Sequence, residues 1–174
     1  ATPFLIETDK KGRLDQIEIN EILRIIPGKR LVAKAKWQGA TVIVKIFFAP
    51  LHWRRNLSRD ISGINLLKKS GLRSPAILHD GEIPDKKGAV LILEFVENSK
   101  TIGEYFKEAD TAGERQLWFS KMIRAIGVCH RSGLWQSDIH MDNFLQSKNY
   151  IYYLDGGGIR VLEDSSYNDV ICNN

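Results

Sequence analysis

Two runs rich in Val, Ile and Ala, at 30–36 and 40–48, flank Trp37-Gln38-Gly39. Such runs, poor in breakers and separated by a short polar link, predict a β-hairpin that ends before Pro50. Lys45 is the only charge inside 40–50. Alternation puts Thr41, Ile43 and Lys45 on one face and Val42, Val44 and Ile46 on the other. The pattern leaves two readings open: a lysine pointing to solvent, or one reaching into a cleft to pair an anion.

The rest of the first hundred residues is strand-rich. Residues 14–26 mix apolar and polar positions and suit either a short helix or a first strand. Segments 76–83 and 89–96, separated by the turn residues 84–88, read as a second strand pair. Residues 57–69 carry Leu57, Ile61, Ile64 and Leu67 at helical spacing, with Gly71 as the stop. After Asn98 the texture changes. Thr101 and Glu104 have capping-box spacing for a helix over 101–108. The longest helix is expected over 114–131, with Phe119, Met122, Ile123 and Ile126 as its apolar stripe and Gly133 as its end. Two strand-like runs follow within 143–154. The expected class is α+β, with a sheet-rich unit over 1–97 carrying one helix and a mainly helical unit over 98–174.

At 174 residues, 43% of them hydrophobic and 5 of them proline, the chain is neither disordered nor a disulfide miniprotein. Residues 1–100 hold 18 basic and 11 acidic side chains, and 101–174 hold 7 and 10. The basic half suits an anionic partner such as a nucleotide, a phosphorylated lipid, a membrane surface or RNA. Aromatic platforms and a clustered basic stripe are missing, so nucleic acid is not expected. Cys129 and Cys172 lack metal-ligand spacing and read as reduced thiols, which predicts a cytoplasmic protein. The longest apolar stretches, 42–51 and 90–96, are interrupted by Lys45 and Glu94 and fall short of a membrane span. The chain starts at Ala1, which reads as a processed or trimmed end.

The densest polar constellation is Ser137-Asp138-Ile139-His140-Met141-Asp142-Asn143. Twelve residues beyond Asn143, Asp155 ends an apolar run and opens Gly156-Gly157-Gly158. Two carboxylates and an amide brought together by a hairpin are hard-cation ligands of the kind that hold magnesium against phosphate. A capped loop followed by a tight glycine turn explains the same residues. His52, His79 and His130 form no zinc set.

Asp138-Ile139-His140 with Asn143-Phe144-Leu145, followed by Ile151-Tyr152-Tyr153-Leu154-Asp155, resembles the lipopolysaccharide kinase family within the protein-kinase-like fold. Those bacterial enzymes phosphorylate inner-core sugars. The resemblance runs from about residue 25 to about residue 162. It implies a two-lobed fold with a shortened helical second lobe, ATP as phosphoryl donor and Mg²⁺ as the metal. Asp138 would be the catalytic base, Asn143 and Asp155 the metal ligands, and Lys45 the partner of the α and β phosphates. Asp60 would hold Lys45, Glu94 to Val96 would form the adenine hinge, and Gly28 would sit in the phosphate loop.

The departures from that pattern carry expectations of their own. Asp60 stands where the family has Glu, which predicts a long or water-bridged contact to Lys45. Gln136 stands where the family has His, and its amide is expected to bond the loop backbone. The triple glycine lacks the usual aromatic, which predicts a mobile turn. His140 is expected to buttress Asp155 and the loop, with a place beside the acceptor site as the alternative. The turn at 27–30 has one glycine and reads as an ordinary turn, with Lys29 and Arg30 as substitutes for backbone amides the alternative. Arg54, Arg55 and Arg59 suit an acceptor that already carries an anionic group, although a solvated helix end explains them equally.

The partner implied is a membrane-linked saccharide, a lipopolysaccharide precursor, with peripheral contact to an anionic membrane. The alternatives are an atypical protein kinase and a catalytically weak pseudokinase that binds nucleotide or a protein partner. Only 16 residues follow Gly158, fewer than the family's usual second lobe has, which predicts either a minimal second lobe or a truncated chain.

Overall fold

Antiparallel pairing of strands near in sequence builds the first unit. The computed structural model describes residues 4–10, 13–84 and 87–162. The chain divides into a unit of residues 1–61 with 75–96 and a unit of residues 62–74 with 97–174. The strands of the first unit are β1 (Phe4–Lys10), β2 (Arg13–Ile26), β3 (Arg30–Trp37), β4 (Ala40–Phe47), β5 (Ile77–Glu82) and β6 (Ala89–Glu94). They run in the order β1-β2-β3-β4-β6-β5 around a closed barrel.

The predicted hairpin is β3–β4, with Trp37 opposite Ala40. Its two linking residues, Gln38 and Gly39, have φ of 50° and 81°, as a two-residue hairpin turn requires. The segment 14–26, ambiguous in sequence, is strand. It pairs with β1 on one side and β3 on the other and buries Ile17 and Ile19. β1 was not anticipated. It closes the barrel where Asp9 stands opposite Glu82, leaving fewer unpaired edge groups. The core follows the period of two: Ile17, Ile19, Ala33, Ala35, Val42, Val44, Ile46, Val90 and Ile92 face inward.

The helix α1 (Trp53–Lys69) starts one turn before the periodic run that predicted it. Ala49 accepts the amides of His52 and Trp53, and Trp53 is buried, so packing anchors the added turn. Gly71, at φ 73°, ends it.

Among the described residues the second unit is less helical than expected. It holds α2 (Ile102–Glu108) and α3 (Ala112–Arg131), together with β7 (Ser99–Thr101), β8 (Leu134–Gln136), β9 (Phe144–Ser147), β10 (Tyr150–Tyr153) and β11 (Ile159–Val161). The strands form a three-stranded sheet, β10-β9-β7, and a pair, β11-β8. Both helices open on capping boxes, Thr101 with Glu104 and Thr111 with Glu114.

The stripe of α3 differs from the one read in sequence. Met122 and Ile126 are buried, but Ala125 and Cys129 complete the face, while Phe119 and Ile123 are about half exposed. The packed face is as wide as the predicted one but turned toward Ala125 and Cys129, whose small side chains let α3 approach Leu134, Phe144 and Tyr153. Tyr153 donates its hydroxyl to Ala125 O at 2.7 Å. Burial pushes the Cys129 thiol up to about 11, so it stays protonated near neutrality. Cys172 lies outside the described residues.

The second capping box has a pH signature. The Glu114 carboxylate accepts the Thr111 amide at 3.0 Å, the Thr111 hydroxyl at 3.1 Å and the Asp110 amide at 3.0 Å. These donors, the Thr111 amide first, hold its carboxyl below the ordinary carboxylate range. A depressed folded-state pKa stabilises the fold above the unfolded value, and that stabilisation is lost as pH falls through the folded value. An amide NMR titration is therefore expected to show the first turn of α3 loosening only below the range of a free glutamate. A midpoint at or above that range would refute the assignment, and Glu114→Gln should show no such step.

Candidate functional site

Alternation decides where Lys45 points. Val44 and Ile46 fill the barrel core, so Lys45 lies on the opposite face of β4 beside Val32 of β3 and Leu91 of β6. That face is covered, not solvated: Lys45 is 5% exposed. Its Nζ donates to both carboxylate oxygens of Asp60, at 3.1 and 2.9 Å. The contact predicted to be long or water-bridged is direct and bidentate. Asp60 is 1% exposed and lies on the stripe of α1 that also buries Ile64 and Leu67. The shorter side chain reaches because the helix packs close enough to the strand to make up the missing methylene.

Arg30 Nη1 lies 3.7 Å from Asp60, so the carboxylate has a second cation beside it. Arg30 shares the Lys45 face because 30, 32 and 34 have one parity on β3 and stand opposite 47, 45 and 43. That parity was available in the sequence. What it lacked was the cross-strand register. Val32 and Ile43 are half-buried on the same face, an apolar surface next to a fixed ammonium. Glu94 ends β6 with an exposed side chain that accepts the Ala76 amide at 3.1 Å, and its own amide donates to Ala76 O at 2.9 Å. Val96 is half-buried. Gly28, at φ 68°, sits at the tip of the tight turn between β2 and β3, where the Lys29 amide is taken by Ile26 O at 3.0 Å. One closed turn leaves no row of amides to cradle a phosphate.

The second unit gathers the polar constellation. The β9–β10 register places Phe144 opposite Tyr153. The Leu154 amide donates to Asn143 O at 2.9 Å, so Asn143 and Asp155 emerge at the same end of the hairpin. Asn143 is buried, and its Nδ2 donates to Asp138 O at 3.0 Å. That bond fixes which end of the amide is nitrogen and turns the oxygen away from Asp138. Asp138 is exposed. Asp155 is buried and accepts the Gly157 amide at 3.1 Å. An amide oxygen and a carboxylate are hard donors that fit Mg²⁺ when phosphate oxygens and water complete its shell. Among the described residues no group of three or more His, Cys, Asp or Glu could hold a metal by itself.

Three neighbours of this loop behave differently from expectation. The triple glycine is a short 3-10 turn whose backbone is engaged. Gly158 O accepts the Ser137 amide and hydroxyl, each at 2.9 Å, and Gly157 O accepts Arg160 Nη1 at 2.9 Å. Close backbone packing replaces the aromatic side chain, because a Cβ on Gly158 would collide with Gln136. Gln136 is fully buried, yet its amide finds no hydrogen-bond partner among the described residues, so it packs against Gly158 without bonding the loop. His140 does not buttress Asp155. Its Nδ1 accepts the Asp142 amide at 3.2 Å and caps the turn at Met141–Asn143. Asp142 in turn accepts the Thr101 hydroxyl at 3.2 Å, tying the loop to the start of α2.

Lys45 and Asp60 are thus brought together in the first unit, and Asp138, Asn143 and Asp155 in the second. Among the described residues no helix is long and apolar enough to cross a membrane. No protein-family model matches the chain, and no curated protein matches it.

Proposed function

We propose that the chain is an ATP- and Mg²⁺-dependent phosphotransferase of the protein-kinase-like fold, similar to the lipopolysaccharide kinases. Its acceptor is a hydroxyl of a membrane-linked saccharide at the cytoplasmic face. The observation that carries the reading is the bidentate Lys45–Asp60 pair, a lysine buried in a strand and held by a helix acid. A buried ion pair is costly to keep, and its retention beside an apolar surface suits a group with an anionic ligand to orient.

In this reading Asp60 holds the Lys45 ammonium, which would pair with the nucleotide phosphates, while Val32 and Ile43 would offer an apolar surface to the base. Asn143 and Asp155 would hold Mg²⁺, which would supply charge neutralisation at the phosphates. Asn143 also anchors the Asp138 backbone, leaving the Asp138 carboxylate to accept the proton of the acceptor hydroxyl. The acceptor oxygen bonds to the γ-phosphorus as the bond to the ADP oxygen breaks, and the electron pair leaves on ADP.

The closed turn at Gly28 favours a second reading, a pseudokinase that holds nucleotide without transferring phosphate. Calorimetry with Mg·ATP and turnover assays with sugar, lipid and protein acceptors separate the two. Asp138→Ala is expected to lower turnover about 10²–10⁴-fold with ATP binding kept, and Asp155→Ala to remove the magnesium dependence of that binding. Binding without turnover, unchanged in Asp138→Ala, would establish the second reading. Neither binding nor turnover would end both.

A further inference from the structure

We propose that the nucleotide site of the first unit takes a base whose edge carries a carbonyl, so that GTP binds there alongside ATP. The inference rests on the phosphotransferase reading and adds the class of base. It comes from Lys34. On β3, Arg30, Val32 and Lys34 share one parity and stand opposite Phe47, Lys45 and Ile43 of β4. Ile43 in turn stands opposite Leu93 of β6, two residues before Phe95. The face that holds the Lys45–Asp60 pair therefore runs in three steps. Arg30 and Lys45 supply cations at one end, Val32 and Ile43 an apolar strip, and Lys34 a cation at the other end. Arg30 and Lys34 are four residues apart, about 13 Å along a strand, which leaves room for a nucleoside between the two ends.

The Lys34 ammonium is held in place. Its Nζ lies 4.7 Å from the centroid of the Phe95 ring, and both residues are half-buried. Glu21 stands opposite Lys34 in the β2–β3 register, yet the ammonium lies over the ring. Glu94, the acid next to Phe95 in sequence, is engaged by the Ala76 amide at 3.1 Å. The ring stabilises the cation through its quadrupole but is no conventional acceptor, so the ammonium keeps donors for a ligand.

The base edge that suits those donors is an acceptor. Guanine presents O6 and N7, both acceptors, where adenine presents N7 and an amine donor. An ammonium facing a carbonyl makes a charge-assisted hydrogen bond; facing the adenine amine it meets another donor. Adenine keeps the N7 contact and the apolar strip, which is why ATP still binds. Uracil also carries a carbonyl, but its single ring covers less of Val32 and Ile43.

Calorimetry of the full chain with Mg·ATP, Mg·GTP, Mg·ITP and Mg·UTP tests the proposal. ITP has the guanine carbonyl without the 2-amino group and so isolates the contact. GTP and ITP are expected to bind within about tenfold of ATP, and UTP more weakly than GTP. Lys34→Met keeps the apolar stem and removes the ammonium. It should lower the affinity for GTP and ITP relative to ATP by about tenfold, as loss of one charge-assisted hydrogen bond does. Lys36→Met, exposed and two residues further along β3, removes the same charge and should leave that ratio as in the parent. Binding of GTP more than about a hundredfold weaker than ATP in the parent overturns the proposal, as does a GTP-to-ATP ratio that Lys34→Met leaves unchanged. UTP as tight as GTP overturns the choice of guanine. ATP bound and GTP rejected ends this inference alone and leaves the phosphotransferase reading standing; no binding of any nucleotide ends both.

Discussion

Replacing Asp60 by Ala is expected to destabilise the chain by about 3–5 kcal/mol, since removing one partner of a buried ion pair leaves a desolvated charge behind. Both carboxylate oxygens of Asp60 receive the Lys45 ammonium, at 3.1 and 2.9 Å, and water has little access to either group. The loss should appear as a fall in the urea midpoint with an unchanged slope. A double-mutant cycle makes the cause testable. Lys45→Met in the Asp60→Leu background replaces the pair with apolar groups and should recover part of the loss, since the ammonium and the carboxylate are gone while Arg30 still lacks its carboxylate. If Asp60→Ala costs under about 1 kcal/mol, the pair behaves like a surface bridge and its burial has been misread. Under the proposed function, Lys45→Met alone should also weaken Mg·ATP binding, a readout that stability by itself would not move.

Gly63→Ala is expected to be at least as damaging, for a steric reason. A Cβ at Gly63 would lie 2.5 Å from the Gly156 carbonyl carbon and 2.8 Å from its Cα, with the carbonyl oxygen nearer still. All three are backbone atoms, so no rotamer change relieves the clash; either α1 or the glycine turn must move. Overpacking of this kind costs about 1–3 kcal/mol where a core can adjust, and more where it cannot. Gly113→Ala is the control. It lies on the exposed surface of α3, and its Cβ would meet only Thr111 Oγ1 at 4.0 Å. There the change should stabilise by up to about 1 kcal/mol through helix propensity. Thermal melts of the two variants should therefore shift in opposite directions. A Gly63→Ala variant as stable as the parent would show that the glycine turn yields, and the mobility expected from Gly156-Gly157-Gly158 would then be right.

Much of the secondary structure was legible because it is local. The hairpin at 30–47 follows from two β-rich runs and a short link, and the capping box at Thr101 from residues three apart; the one at Thr111 was passed over, and α3 starts at Ala112 rather than at 114. β1 was not legible: its short run of seven residues gains its strand state from pairing with β2 and from Asp9 opposite Glu82. The stripe of α3 was half legible. Hydropathy identified Met122 and Ile126, but small residues such as Ala125 and Cys129 mark a packed face only once the neighbour they admit is known.

The site divides along the same line. Sequence alone determined that Lys45 faces away from Val44 and Ile46, since side chains alternate on any strand, and that Asp138, Asn143 and Asp155 share a loop and a hairpin. Only the tertiary structure decided that the face of Lys45 is covered, that Asp60 meets it directly, that Arg30 stands beside them and that Gly63 must lack a side chain. Those outcomes depend on cross-strand register and on how closely a helix approaches a sheet or a turn. Both are distances between segments far apart in the chain, set by the packing of everything between them.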